Sequence, residues 1–262
     1  MILGLLAALL GGISAAQAQQ PWMQLDQVIE IDILPGWRQD DGTHLAGLKV
    51  QLAPGWVTYW RSAGAAGISP RMDWQGSDNV TRVDPVWPRP KVFKSDIGQS
   101  IGYDRDFVLP LRIRPVSDGI VRLHGTLDIG VCQDICLPAK LEVTAELPAG
   151  GVPDIEIEAA LADQPERVDQ SVTCVLRPTS DGFALAGQID VPSVGYDEAV
   201  VFELSDPSVW VTDAVVARQG DQLIATSELM VGGDRRPDID RSEVRITIIG
   251  ETRAVEILGC AE

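Results

Sequence analysis

Cys132 and Cys136 stand four positions apart in "IGVCQDICLPAK", residues 129 to 140. Two thiols at that spacing can form a disulfide, supply half of a soft metal site, or exchange electrons with another protein's cysteines. A bond between them closes a very short loop and restricts the unfolded chain little, so stapling is a poor account of the pair. A zinc site needs about four ligands, and the two histidines, His44 and His124, fall in no ligand-spaced cluster. No metal and no cofactor is therefore expected. An inert surface disulfide satisfies the spacing as well as a working redox pair does, and both readings stay open on spacing alone.

The flanking residues say what must position the pair. Cys132 follows the alternating run "RLHGTLDIGV" and Cys136 precedes "LPAKLEVTAEL". Gln133, Asp134 and Ile135 then form a tight hairpin tip, and Gly130 and Pro138 oppose a helix across the same window. At such a tip the two sulfurs face one another near solvent, as attack by a partner's thiolate requires. Lys140 is the nearest cation in sequence and Asp134 opposes it. The expected thiolate is weakly stabilised, and the expected chemistry slow and gated by the partner.

Four cysteines permit three pairings. Cys174 lies in the first alternating run of the second half, and Cys260 lies two residues from the end. A bond between them would tie the ends of that half together, worth roughly 4 to 5 kcal/mol in the chain-entropy picture. We read it as structural.

Period-2 alternation dominates the chain. "QVIEIDIL" puts Ile29, Ile31 and Ile33 on one strand face, and similar runs recur between Gly, Pro, Asp and Asn residues. The expected class is all-β: one β-sandwich followed by a second, smaller sandwich-like domain. "PAGGVP" at 148–153 breaks the pattern, and Asp154 can cap a short connecting helix that stops before Pro165. The expected boundaries are a signal peptide at 1–18, a first domain at 19–150 and a second at 151–262. Residues 1–18 carry no Asp, Glu, Lys or Arg and end in Ala16-Gln17-Ala18. That is the pattern of a cleaved secretory signal, which implies a periplasmic chain with no stable membrane insertion. The formal charge of −17 excludes nucleic acid and anionic lipid as partners and leaves proteins or small molecules.

The ordered blocks "LAPGWVTYWRSAGAAGISPRMDWQGSDNV", "VWPRPKVF", "IGYDRDFVLPLRI" and "VCQDICLP" resemble the amino-terminal periplasmic domain of the thiol:disulfide interchange protein DsbD, on its suppressor-of-copper-sensitivity (Scs-type) branch. The resemblance implies an immunoglobulin-like fold and a protein-disulfide reductase activity. In that family electrons come from a membrane segment and pass to thioredoxin-like proteins, disulfide isomerases or cytochrome c maturation factors. It implies that Cys136 forms the mixed disulfide and that Cys132 resolves it. A cap loop over the pair would map to Phe93 through Gln99, with Phe93 or Ile97 as lid and Asp96 as its acid. Tyr59, Trp60 and Tyr103 are expected around the site's edge, whereas Trp56 reads as core. The chain ends at "LGCAE" without the family's membrane and thioredoxin-like domains, so a separate membrane thiol reductase is the expected electron donor. The competing class is a non-catalytic immunoglobulin-like binding module with two structural disulfides. A copper-handling role rests on the Scs-type resemblance alone, since Met23 and Met72 form no soft-ligand cluster.

Overall fold

The computed structural model describes residues 24–96, 98–180, 182–231 and 237–262. The signal-peptide reading of residues 1–18 lies outside them, as does Ile97. Among the described residues no helix is long and apolar enough to cross a membrane.

Four sheets form two sandwiches. In the first, one sheet runs in the order Ile29–Arg38, His44–Leu52, Phe107–Pro115, Val80–Pro85. The facing sheet runs Cys136–Leu147, Val121–Cys132, Val57–Tyr59, Gly98–Tyr103, Lys91–Ser95, with Arg71–Asp73 also paired to Val121–Cys132. Strand alternation explains the packing. Val121, Leu123, Leu127, Ile129 and Val131 point into the core with Leu48, Leu109 and Trp56, while Arg122, His124 and Asp128 point out. Cys132 has the parity of the outward set, so burial there must come from something other than the core.

The second sandwich pairs Glu166–Arg167, Ala254–Leu258, Arg245–Ile249 and Ala199–Glu203 in one sheet. Its facing sheet holds Val172–Pro178, Phe183–Asp190, Gln222–Met230 and Trp210–Val211, with Val215–Gln219 also on Gln222–Met230. A disulfide joins Cys174 to Cys260. Cys174 is fully buried in this second core.

Between the sandwiches runs the helix Ile155–Ala162. The Asp154 carboxylate caps it by accepting from the backbone N–H of Glu156 at 2.8 Å and of Ile157 at 3.3 Å. Ile157 is buried over Gly47, where an added Cβ would stand 2.8 Å from Val108 Cγ1 and 3.0 Å from Ile157 Cγ1. The absence of a side chain there lets the helix seat on the first sandwich.

The sandwiches meet through a small apolar cluster and an ion-pair network. Trp60, Ile101 and Tyr103 of the first pack with Val201, Ile249 and Ala254 of the second. Beside them Arg61 donates to both carboxylate oxygens of Glu203 at 2.9–3.0 Å and to Glu256 at 2.7 Å, with its guanidinium 4.0 Å from the Trp60 ring centroid. Such a two-pronged arginine contact fixes geometry as well as charge.

Candidate redox site

The hairpin Val121–Cys132/Cys136–Leu147 puts Cys132 and Cys136 directly opposite one another at its last paired position, Cα atoms 4.1 Å apart and sulfurs bonded. The three-residue tip closes with the Gln133 N–H donating to the Ile135 carbonyl at 3.0 Å. On the other side Val57 pairs with Cys132 and Thr58 with Val131, and the Thr58 hydroxyl donates to the buried Gly130 carbonyl at 2.9 Å. The turn leading into that strand needs Gly55, whose φ is +84°. A Cβ there would also stand 2.8 Å from Gln133 Nε2 at the tip.

The two sulfurs are not equivalent. Cys132 is 4% exposed, covered by Tyr59, Ala63 and Val57, whereas Cys136 is exposed. The cover is the segment 61–70, which folds back over the outer face of the sheet. Gly130 permits this, because a Cβ there would meet Ile68 Cβ at 2.7 Å and Tyr59 Cε2 at 3.1 Å. Backbone bonds hold the segment in place: the Ala66 N–H donates to Gln99, the Ile101 N–H to Ala63, and the Ala63 N–H to the Ser69 hydroxyl, all within 3.1 Å. The second sandwich reaches it as well. One carboxylate, Asp213, accepts from the backbone N–H of Ala65 at 2.9 Å and of Gln99 at 3.2 Å.

Tyr59 places its hydroxyl 3.8 Å from Cys136 Sγ. Burial pushes the Tyr59 phenol up from its ordinary value, so the group stays protonated and able to donate at neutral pH. Exposed Ile68 and Ile135 give the surface around the pair an apolar rim.

The structure brings together Cys132, Cys136 and Tyr59 and places the other expected site residues elsewhere. Trp60 follows Tyr59 by one residue and therefore faces the opposite side. It is fully buried at the junction of the sandwiches. Tyr103, expected at the site's edge, pairs with Thr58 and lies on that same inner side. Its hydroxyl donates to the Pro88 carbonyl at 2.9 Å, and burial pushes its phenol well above the usual value.

The expected cap loop also lies elsewhere. Phe93 pairs with Ser100 in the hairpin Lys91–Ser95/Gly98–Tyr103. Tyr103 shares the Thr58 row with Val131, and the tip at Gly98 is five positions beyond it, pointing away from Cys132. Five residues at about 3.4 Å each put the tip roughly 17 Å along the strand from the Tyr103 row, where a Cβ at Gly98 would stand 3.5 Å from Ala65 Cβ of the 61–70 segment and not against the sulfurs. Asp96 is exposed there, and neighbouring Lys94 pairs with Asp197 of the second sandwich at 3.3 Å. The cover expected at Phe93–Gln99 is supplied instead by 61–70, with Ala63 against Cys132 and Ile68 over Gly130. The one available signal was a run of small residues, "SAGAAG", able to approach a strand closely.

Among the described residues no cluster of three or more His, Cys, Asp or Glu stands ready to hold a metal ion. Among the described residues the Tyr59 hydroxyl is the one polar side-chain group against either sulfur, so the site offers a disulfide, one phenol and an apolar rim.

A family model described as the thiol:disulfide interchange protein DsbD, N-terminal, matches residues 19–148. The crystal structure of the N-terminal periplasmic domain of ScsB from Proteus mirabilis superposes with a TM-score of 0.65 at 22% identity, covering 89% of this chain and 92% of that one. The likeness therefore runs through both sandwiches and gives an all-β, immunoglobulin-like fold. A search of the curated proteins returned no match.

Proposed function

We propose that the chain is a periplasmic thiol:disulfide exchange protein working through Cys132 and Cys136, a reading supported by the match of residues 19–148 to the DsbD amino-terminal family model and by the site's geometry. The observation that carries the reading is the asymmetry of the pair: one sulfur presented to solvent at a hairpin tip, its partner held beneath a covering segment.

In the reduced protein the Cys136 thiolate attacks one sulfur of a partner disulfide. An S–S bond forms between the proteins, and the partner's second sulfur leaves as a thiolate and takes up a proton. Cys132 then loses its proton and attacks Cys136 Sγ. The Cys132–Cys136 bond forms, the intermolecular bond breaks, and the partner departs as a dithiol, two electrons richer. Tyr59 donates to the Cys136 thiolate while it waits, and no cation is needed in that role. A membrane thiol reductase reverses the sequence by attacking exposed Cys136, and thioredoxin-like or isomerase proteins of the periplasm take the electrons onward.

The test is a pair of single-cysteine variants with the Cys174–Cys260 bond intact. A periplasmic thioredoxin-like protein, oxidised at its own cysteine pair, is mixed with each reduced variant, and adducts are resolved by mass. Cys132→Ser, which keeps Cys136, should accumulate a one-to-one disulfide adduct. Cys136→Ser should give none. Equal trapping by both variants would contradict the assigned roles, and trapping by neither would contradict the reading as a whole.

A further inference from the structure

We propose that the cleft between the two sandwiches is a docking site for an extended acidic segment of a partner protein. It holds seven of the chain's 21 basic residues, all arginines, although the whole chain carries a formal charge of −17. Three carboxylates, Asp84, Glu166 and Glu256, share the lining with them.

Five carboxylates serve these arginines: Arg82 pairs with Asp84, Arg89 with Asp163, Arg253 with Glu166, and Arg61 with Glu203 and Glu256, so the guanidinium excess is modest and lies with Arg112, Arg167 and Arg245. Glu256, itself buried, is the common partner of Arg61 at 2.7 Å, Arg167 at 3.4 Å and Arg245 at 3.8 Å. One carboxylate offers at most four lone-pair sites, whereas three guanidinium groups bring many more N–H donors in fixed planar forks. Arg167 is 84% exposed. On the first sandwich Arg112 is exposed, pairs across strands with Asp84, and makes no side-chain hydrogen bond or ion pair among the described residues. Arg112 on one wall and Arg167 on the other, whose ion pair is with Glu256 alone, therefore line one space with N–H donors to spare, and such donors match carboxylates in two-pronged fashion.

Size and edges select the occupant. The cavity measures about 920 Å³, some thirty times the roughly 30 Å³ that a water occupies in the liquid. A single small oxyanion would leave most of it empty. Strands Val80–Pro85 and Glu166–Arg167 line the opposing walls, and each is the edge of its sheet. Sheet edges are where an extended segment adds backbone hydrogen bonds of its own. A partner rich in Asp and Glu is repelled by the rest of this acidic surface, so charge alone steers it to the cleft. The inference does not depend on the cysteine chemistry and stands or falls separately from it.

The probe is a fluorescein-labelled peptide of four Glu-Ser repeats, titrated with the full chain by fluorescence anisotropy at about 50 mM salt, where charge is weakly screened. Saturable one-to-one binding is expected. Arg112→Ala with Arg167→Ala, two exposed side chains whose removal leaves the core untouched, should weaken it by roughly tenfold or more. Arg71→Ala with Arg122→Ala, two exposed side chains of the facing sheet that do not line the cleft, should not. The proposal is overturned if the peptide fails to saturate, if the cleft pair binds like the parent, or if both pairs lose affinity equally. Displacement by inorganic pyrophosphate at a concentration equal to the peptide's own Kd would also overturn it, by marking a small-oxyanion site.

Discussion

Replacing Tyr59 with Phe removes one hydroxyl and keeps the ring that covers Cys132, so it isolates the phenol's effect on Cys136. A hydrogen bond to a charged group is worth about 1.5 to 3 kcal/mol. The 3.8 Å separation from oxygen to sulfur belongs at the weak end of that range. One pKa unit corresponds to about 1.4 kcal/mol, so Tyr59→Phe should raise the Cys136 thiol by about one unit. The assay uses Cys132→Ala with the Cys174–Cys260 bond intact, which leaves Cys136 as the one free thiol. Its alkylation rate by iodoacetamide is followed against pH, with and without Tyr59→Phe. A midpoint shift below about 0.3 unit, where about one is expected, would refute the idea that the phenol touches the thiolate.

Asp213→Ala frees the backbone N–H groups of Ala65 and Gln99 and loosens the segment over Cys132. Reduction of Cys132–Cys136 by dithiothreitol should accelerate by roughly tenfold, the equivalent of about 1.4 kcal/mol, and an unchanged rate would show that the second sandwich does not hold the cover. Changing Cys174 and Cys260 together to Ser opens a loop spanning 86 positions and should cost about 4 to 5 kcal/mol in the entropic account, read from urea unfolding. A loss under about 1 kcal/mol would contradict that account of this bond. Burial holds His44 below its ordinary value of 6.5, against a hydrogen bond to the Pro35 carbonyl that acts the other way. The unfolded chain therefore takes up a proton before the folded one does, and stability is full above pH 6.5 and falls as the pH drops below it. His44→Gln should flatten that slope between about pH 5 and 7.

Much of the architecture is written locally. In "VRLHGTLDIGVC" every second residue is apolar or glycine up to Val131, and that alternation alone separates the inward set from the outward one. The hairpin tip is equally local, because Cys132, Cys136 and the three residues between them lie in one short stretch. What the sequence does not carry is register across distant strands. Tyr59 and Trp60 look interchangeable as neighbours, yet one faces the disulfide and the other the junction with the second sandwich. The cover needed knowledge that the 61–70 segment folds back onto Gly130, and its anchor, Asp213, is 148 positions from Ala65. Phe93 and Asp96 lie in a hairpin whose own pairing is local, but whose direction relative to Cys132 depends on Thr58 joining two other strands. Net charge misleads in the same way: arginines scattered from Arg61 to Arg253 vanish into a total of −17 and become a single cleft only once both sandwiches are in place.

The central claim is that Cys132 and Cys136 form an exchangeable couple, and its most direct test is the pair's reduction potential. It is measured in protein with Cys174 and Cys260 both changed to Ser, by mass-resolved thiol trapping across a glutathione or dithiothreitol series. The account predicts a value between about −180 and −270 mV, the range of couples that pass electrons between proteins. A value below roughly −300 mV would mark an inert structural bond and contradict it.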